Sequence, residues 1–126
     1  MLLVQAEISN GPYAAREARR TIAALESSLS TQVLDDVTLL VSELVTNSYR
    51  HGGLASDDSI GLRVELAGAT VRIEVTDRGA GATPAIRDPG DDGGWGLRIV
   101  ESVADRWGSE EVPGGRVVWF EMEAVT

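Results

Sequence analysis

The chain of 126 residues predicts an α+β domain: a two-layer sandwich with helices on one face of a mostly antiparallel, mixed sheet. Three features carry that prediction. Two early segments repeat apolar residues at helical spacing, and two later segments alternate apolar and polar residues almost strictly. Between those alternating strands and the C-terminal end, a glycine-rich tract runs straight into a third helical pattern.

The elements follow in order. "LLVQAEI" (2–8) reads as a short strand, and "SNGP" as a turn with Pro12 placed for a helix first turn. From Tyr13 to about Leu29, the residues Ala15, Ala18, Ile22, Leu25 and Leu29 form one stripe, with Arg16, Arg19 and Arg20 mostly off it. "SLSTQ" interrupts it and offers Ser30 or Thr31 as a cap. A second helix is predicted from about Val33 to Arg50, with Leu34, Val37, Val41, Leu44, Val45 and Ser48 on its apolar side and "HGG" as its stop. The strands "LRVEL" (62–66) and "VRIEVTD" (71–77) then alternate, which indicates antiparallel pairing with one wet face. Gly68-Ala69 suits a tight hairpin between them. Leu97, Val100, Val103, Ala104 and Trp107 mark a third helix, and "EVPGGRVVWFEMEA" closes with a turn and a last strand. The whole is expected to be one domain, 1–126.

Composition removes several kinds of chemistry. With no cysteine there are no disulfides, thiolate metal sites or cysteine nucleophiles. All eleven basic residues are arginine, so neither a P-loop lysine nor the strand lysine of ordinary protein kinases exists. One histidine excludes a multi-histidine zinc site. Acids outnumber bases 20 to 11, a formal charge of −9, which disfavours direct nucleic-acid binding and suits a basic protein partner. No signal peptide or membrane-spanning run is recognisable, so a cytoplasmic protein without membrane attachment is expected.

Three short motifs carry candidate chemistry. Glu43 and Asn47 lie four residues apart, on one face of the second helix beside its apolar stripe, adjoining Leu40. "DRGAG" (77–81) stands at the end of an alternating strand, where Asp77 offers a carboxylate to a donor such as an exocyclic amine. Gly79 and Gly81 let backbone approach a ligand closely. "GGWG" (93–96) opens the third helix after an irregular tract, 78–95, long enough to suggest a functional loop. Taken singly, each is also an ordinary feature: a solvated helix edge, a strand-to-loop turn, a glycine-rich loop.

Taken in order, "ELVTN" on a helix, "DRGAG" after a strand and "GWGL" into a helix resemble the Bergerat-type ATPases, the superfamily of gyrase B, MutL and the sensor histidine kinases. Within it, "LVSELVTNSYRHG" with "GWGLRIVESVADRWG" is similar to the RsbW-like anti-sigma-factor serine kinases. The resemblance implies a histidine kinase-like ATPase fold with a flexible ATP lid over about 82–95. It implies ATP and Mg²⁺ as cofactors, with Asn47 as the metal ligand and Glu43 as the general base that takes a serine proton. Asp77 would accept the adenine amino group, Gly79 and Gly81 would shape the base pocket, and Gly93, Gly94, Trp95, Gly96 and Leu97 would close the lid end. The backbone amides there would face the phosphates, as helix N-termini do. His51, where the family's helix ends in His-Gly, reads as a rim residue rather than a phospho-acceptor.

The sequence departs from that family twice. Many relatives carry a threonine near the start of the last strand, which helps to hold the adenine; here the run is Arg116-Val117-Val118. Asp91-Asp92 stand where a basic residue would help with the γ-phosphate, with Arg87 and Arg98 as possible compensation. Two functions therefore stay open. One is an anti-sigma factor and serine kinase that sequesters a sigma factor and phosphorylates a STAS-type anti-anti-sigma antagonist. The other is a nucleotide-gated binding module with little or no kinase activity. A detached two-component catalytic domain is a third reading. The resemblance also implies a homodimer through the N-terminal region.

Overall fold

A computed structural model describes residues 2–51, 58–77 and 96–124, the side chains at 50, 51, 96 and 97 excepted. The lid tract, 78–95, lies outside the described residues. Five strands form one sheet: β1 (Leu2–Ser9), β2 (Ser59–Ala67), β3 (Thr70–Asp77), β4 (Arg106–Val112) and β5 (Gly115–Glu123). Their spatial order is β1-β2-β3-β5-β4, and every neighbouring pair is antiparallel. The expected α+β sandwich is therefore present, but the sheet contains no mixed pairing among the described strands. Among the described residues there are three helices, α1 (Ala14–Ala23), α2 (Thr31–His51) and α3 (Gly96–Val103).

Helix α1 is shorter than its apolar spacing predicts. After Ala23 the backbone tightens to i→i+3 bonds, Leu25 N to Ile22 O and Glu26 N to Ala23 O. Leu25 and Leu29 stay buried through those turns, so the stripe outlasts the helix. Ser30 then caps α2: its Oγ accepts from Val33 N at 3.3 Å, while its carbonyl accepts from Leu34 N. The residues Val33, Val37, Leu40, Val41, Leu44 and Val45 are buried along α2. They meet Ile60, Leu62 and Val64 of β2, Val71, Ile73 and Val75 of β3, and Val118, Phe120 and Met122 of β5 in one core.

The other sheet face is polar, as the alternation predicts. Arg72 bonds Glu74 and Glu121 at 3.0 Å each, and Arg106 Nε bonds Glu121 at 2.8 Å, forming a ladder across β3, β5 and β4. The Arg72 guanidinium also lies 4.3 Å from the Trp119 ring centroid. Trp119 leans over Gly108, directly opposite it in register, so closely that an added Cβ would sit 2.9 Å from three ring atoms. Gly68 (φ +61°) and Gly114 (φ +82°) make the two tight hairpin turns.

One element overturns the sequence expectation. Trp107 does not extend the third helix; α3 ends at Val103 and Trp107 belongs to β4. The chain leaves the helix when Asp105 N bonds Glu121 O at 3.0 Å, which starts pairing against β5. Trp107 still packs partly buried against the core, which is why it fitted a helical stripe. No helix among the described residues is long and apolar enough to cross a membrane.

Candidate functional site

The packing of α2 on β3 and β5 places Glu43 and Asn47 on the helix that covers the sheet face to which Asp77 belongs. Glu43 and Asn47 are half-buried, each three residues past a buried leucine, Leu40 and Leu44. That placement follows from helical geometry: residues about 100° per step apart put positions 43 and 47 at the margin of the stripe. Both side chains therefore stand at a rim, neither dissolved in solvent nor sealed in the core.

Asp77 is the last residue of β3 and lies on its helix-facing side, in phase with Val71, Ile73 and Val75. It is only 5% exposed. A carboxylate that deep requires partners, because desolvating an ionised group is otherwise prohibitive. One is Arg116, itself 7% exposed, whose Nε donates to Asp77 Oδ1 at 3.2 Å. The sheet dictates this meeting, since Asp77 and Arg116 are directly opposite in the β3–β5 register.

Arg116 is the residue that sequence reasoning left unassigned. Val117 is opposite Thr76 and belongs to the outer face, whereas Arg116 turns inward toward Asp77. The signal was available: Arg116, Val118, Phe120 and Met122 keep one period-two phase, and three of them are core residues.

Of the remaining predicted residues, Gly96 opens α3 and Leu97 follows it. Helix α3 packs through Val100, with Ile99 and Val103 partly buried. Gly79, Gly81, Gly93, Gly94 and Trp95 lie outside the described residues, as do Arg87, Asp91 and Asp92. His51 is the last residue of α2.

A cavity of about 650 Å³ opens elsewhere, on the outer face of the sheet, bordered by Gln5, Glu7, Ser59, Arg63, Glu74 and the β4–β5 turn. Its walls are mainly strand residues of the polar face, and Asp77 is among the residues that line it. Neither Glu43 nor Asn47 lines it. The α2 pair, Glu43 and Asn47, thus stands apart from this hollow.

The chain is thus an antiparallel sandwich with an acid and an amide on its long helix and a buried carboxylate ending a central strand. The chain belongs to the histidine kinase-like ATPase domain family, whose model matches residues 8–122. Two curated relatives, the anti-sigma F factors of Clostridium botulinum strains Eklund 17B and Alaska E43, are each 38% identical over 77 residues. That alignment covers 57% of this chain, and the chain spans about half the length of those relatives (54%). Among solved structures, the RsbU and RsbW domains of Rv1364c from Mycobacterium tuberculosis match at a TM-score of 0.77 and 23% identity, over 98% of this chain and 32% of that one. The catalytic domain of histidine kinase ThkA matches at 0.60 and 16% identity, over 99% and 97%. These two likenesses show the shared fold.

Proposed function

We propose that this chain is an RsbW-like anti-sigma factor and protein serine kinase. In this reading it holds a sigma factor and phosphorylates a serine on a STAS-type anti-anti-sigma antagonist. The observation that carries the proposal is the burial of Asp77 on the helix-facing side of β3, in the layer that α2 rims with Glu43 and Asn47. The anti-sigma F factors that resemble part of the chain in sequence support the biological class.

The residues fit an ATP–Mg²⁺ pair by their chemistry. Asn47 offers one amide oxygen, and Mg²⁺ commonly takes one or two protein ligands and completes its shell with phosphates and water. Among the described residues no three His, Cys, Asp or Glu side chains gather into a metal cage. Bound nucleotide would supply the phosphoryl group. Asp77 would accept a hydrogen bond from the base amine, Asn47 would hold the metal, and Glu43 would take the proton from the antagonist's serine hydroxyl. Gly79, Gly81 and the 93–97 segment are proposed to line the base and phosphates.

Self-association through the N-terminal region fits β1. It is an edge strand of the sheet, and it carries Leu2 at 37% and Leu3 at 41% exposure. The charge of −9 would steer a basic sigma-factor surface toward the dimer.

The second reading, a nucleotide-gated binding module, is favoured by Asp91-Asp92 in the lid sequence, where acids oppose phosphate charge. Incubation with γ-labelled ATP, Mg²⁺ and candidate STAS antagonists decides between them. Label on the antagonist's serine supports the kinase. Nucleotide-dependent partner binding without any label transfer would replace it with the module.

A further inference from the structure

We propose that Arg116 is a base-reading residue: together with Asp77 it forms a donor–acceptor pair that selects a purine amine flanked by a ring nitrogen acceptor. This rests on the nucleotide reading above, and adds to it a residue and a specificity rule.

Arg116 Nε is 3.2 Å from Asp77 Oδ1, and both side chains are more than nine-tenths buried on the helix-facing side of the two central strands. A base whose amine reaches the Asp77 carboxylate therefore also comes within reach of the guanidinium. The two groups speak opposite languages: an ionised carboxylate only accepts hydrogen bonds, and a guanidinium only donates them. The carboxylate has lone-pair capacity for more than one donor, so holding Arg116 does not bar it from an amine.

The edge that satisfies both groups carries a donor beside an acceptor. Adenine offers this twice, at its amine with N1 and at its amine with N7. Hypoxanthine, with a carbonyl in place of the amine, offers Asp77 a second acceptor at that position. Arg presents its donors in a fixed planar fork, and the strand register sets the two residues directly opposite each other. A threonine, which many relatives carry near the start of this strand, has one rotatable hydroxyl and no charge. Arg116 brings a charge-assisted donor, which is the stronger kind of contact.

The test uses the unmodified protein with Mg²⁺ and four nucleotides in calorimetric titration: ATP, ITP, 1-deaza-ATP and 7-deaza-ATP. The expected result is tight ATP binding, with ITP and one of the two deaza analogues weaker by about ten-fold or more. In Arg116→Met the penalty for that deaza analogue should shrink to within about two-fold, and Arg116→Lys should restore part of it. Equal affinity of the wild-type protein for ATP and both deaza analogues overturns the inference while leaving nucleotide binding intact. Tighter ATP binding by Arg116→Met than by wild type overturns it too, because Arg116 would then obstruct the base. Absence of ATP binding by the wild type removes both the inference and the nucleotide reading. The analogue comparison on wild-type protein needs no variant, so it decides even if Arg116→Met does not fold.

Discussion

Replacing Asp77 by alanine removes the carboxylate against which a buried guanidinium is held, and the expected cost is about 3–5 kcal/mol of folding stability. The magnitude follows from the burial of both partners, 5% and 7% exposed, and from the 3.2 Å contact between them. The two single variants should not be symmetric. A guanidinium cannot shed its charge when its carboxylate partner is removed, so Arg116→Met should cost less than Asp77→Ala. Methionine also fills the vacated volume with a flexible apolar chain. The double variant Asp77→Ala/Arg116→Met removes both charges and should be more stable than Asp77→Ala alone. Urea denaturation of the four proteins, extrapolated to water, gives the cycle. A coupling of roughly 0.5–3 kcal/mol is expected for residues in direct contact. Additivity of the two single losses to within about 0.5 kcal/mol would refute the reasoning, because the pair would then contribute nothing as a pair.

Three further outcomes are expected. Glu43→Ala should retain nucleotide affinity and lose about 10²–10⁴ in phosphotransfer rate, while Asn47→Ala should lose Mg²⁺-dependent affinity as well; matched calorimetry and label transfer check this, and equal binding losses would make Glu43 a structural residue. Hydrogen bonds from Arg106 and Arg72 hold the Glu121 carboxyl below its ordinary range. Its contribution is therefore present above the usual glutamate pKa and is lost as pH falls through the lower folded value; wild type should lose more stability than Glu121→Gln between about pH 5 and pH 3, and parallel curves would contradict it. Gly108→Ala should destabilise by about 1–3 kcal/mol, since the new Cβ meets the Trp119 ring at 2.9 Å; an unchanged melting temperature together with unchanged tryptophan fluorescence would show that the ring does not lie there.

The parts of the fold that were legible in the sequence share one physical property: their side-chain period is unambiguous. Val71, Ile73 and Val75 alternate without exception, and the α2 stripe runs from Val37 to Ser48 unbroken. Ser30 and Gly68 announced a cap and a turn by their chemistry alone. The β4 strand was illegible because "RWGSEEV" pairs on one side only and buries little. Trp107 follows Val103 by four residues, so it satisfied a helical period as readily as a strand. The candidate site divides the same way. Glu43, Asn47 and Asp77 were found from residue type and element position, but the Asp77–Arg116 contact depends on strand register. A slip of one residue would have turned Arg116 outward and Val117 inward.

The most direct measurement of the central claim is a crystal structure with Mg²⁺ and a non-hydrolysable ATP analogue. The base is expected against Asp77 and Arg116 on the helix-facing side of the sheet, and the metal at the Asn47 amide with Glu43 nearby. Nucleotide seated instead in the outer-face cavity beside Gln5, Glu7, Arg63 and Glu74 would contradict it.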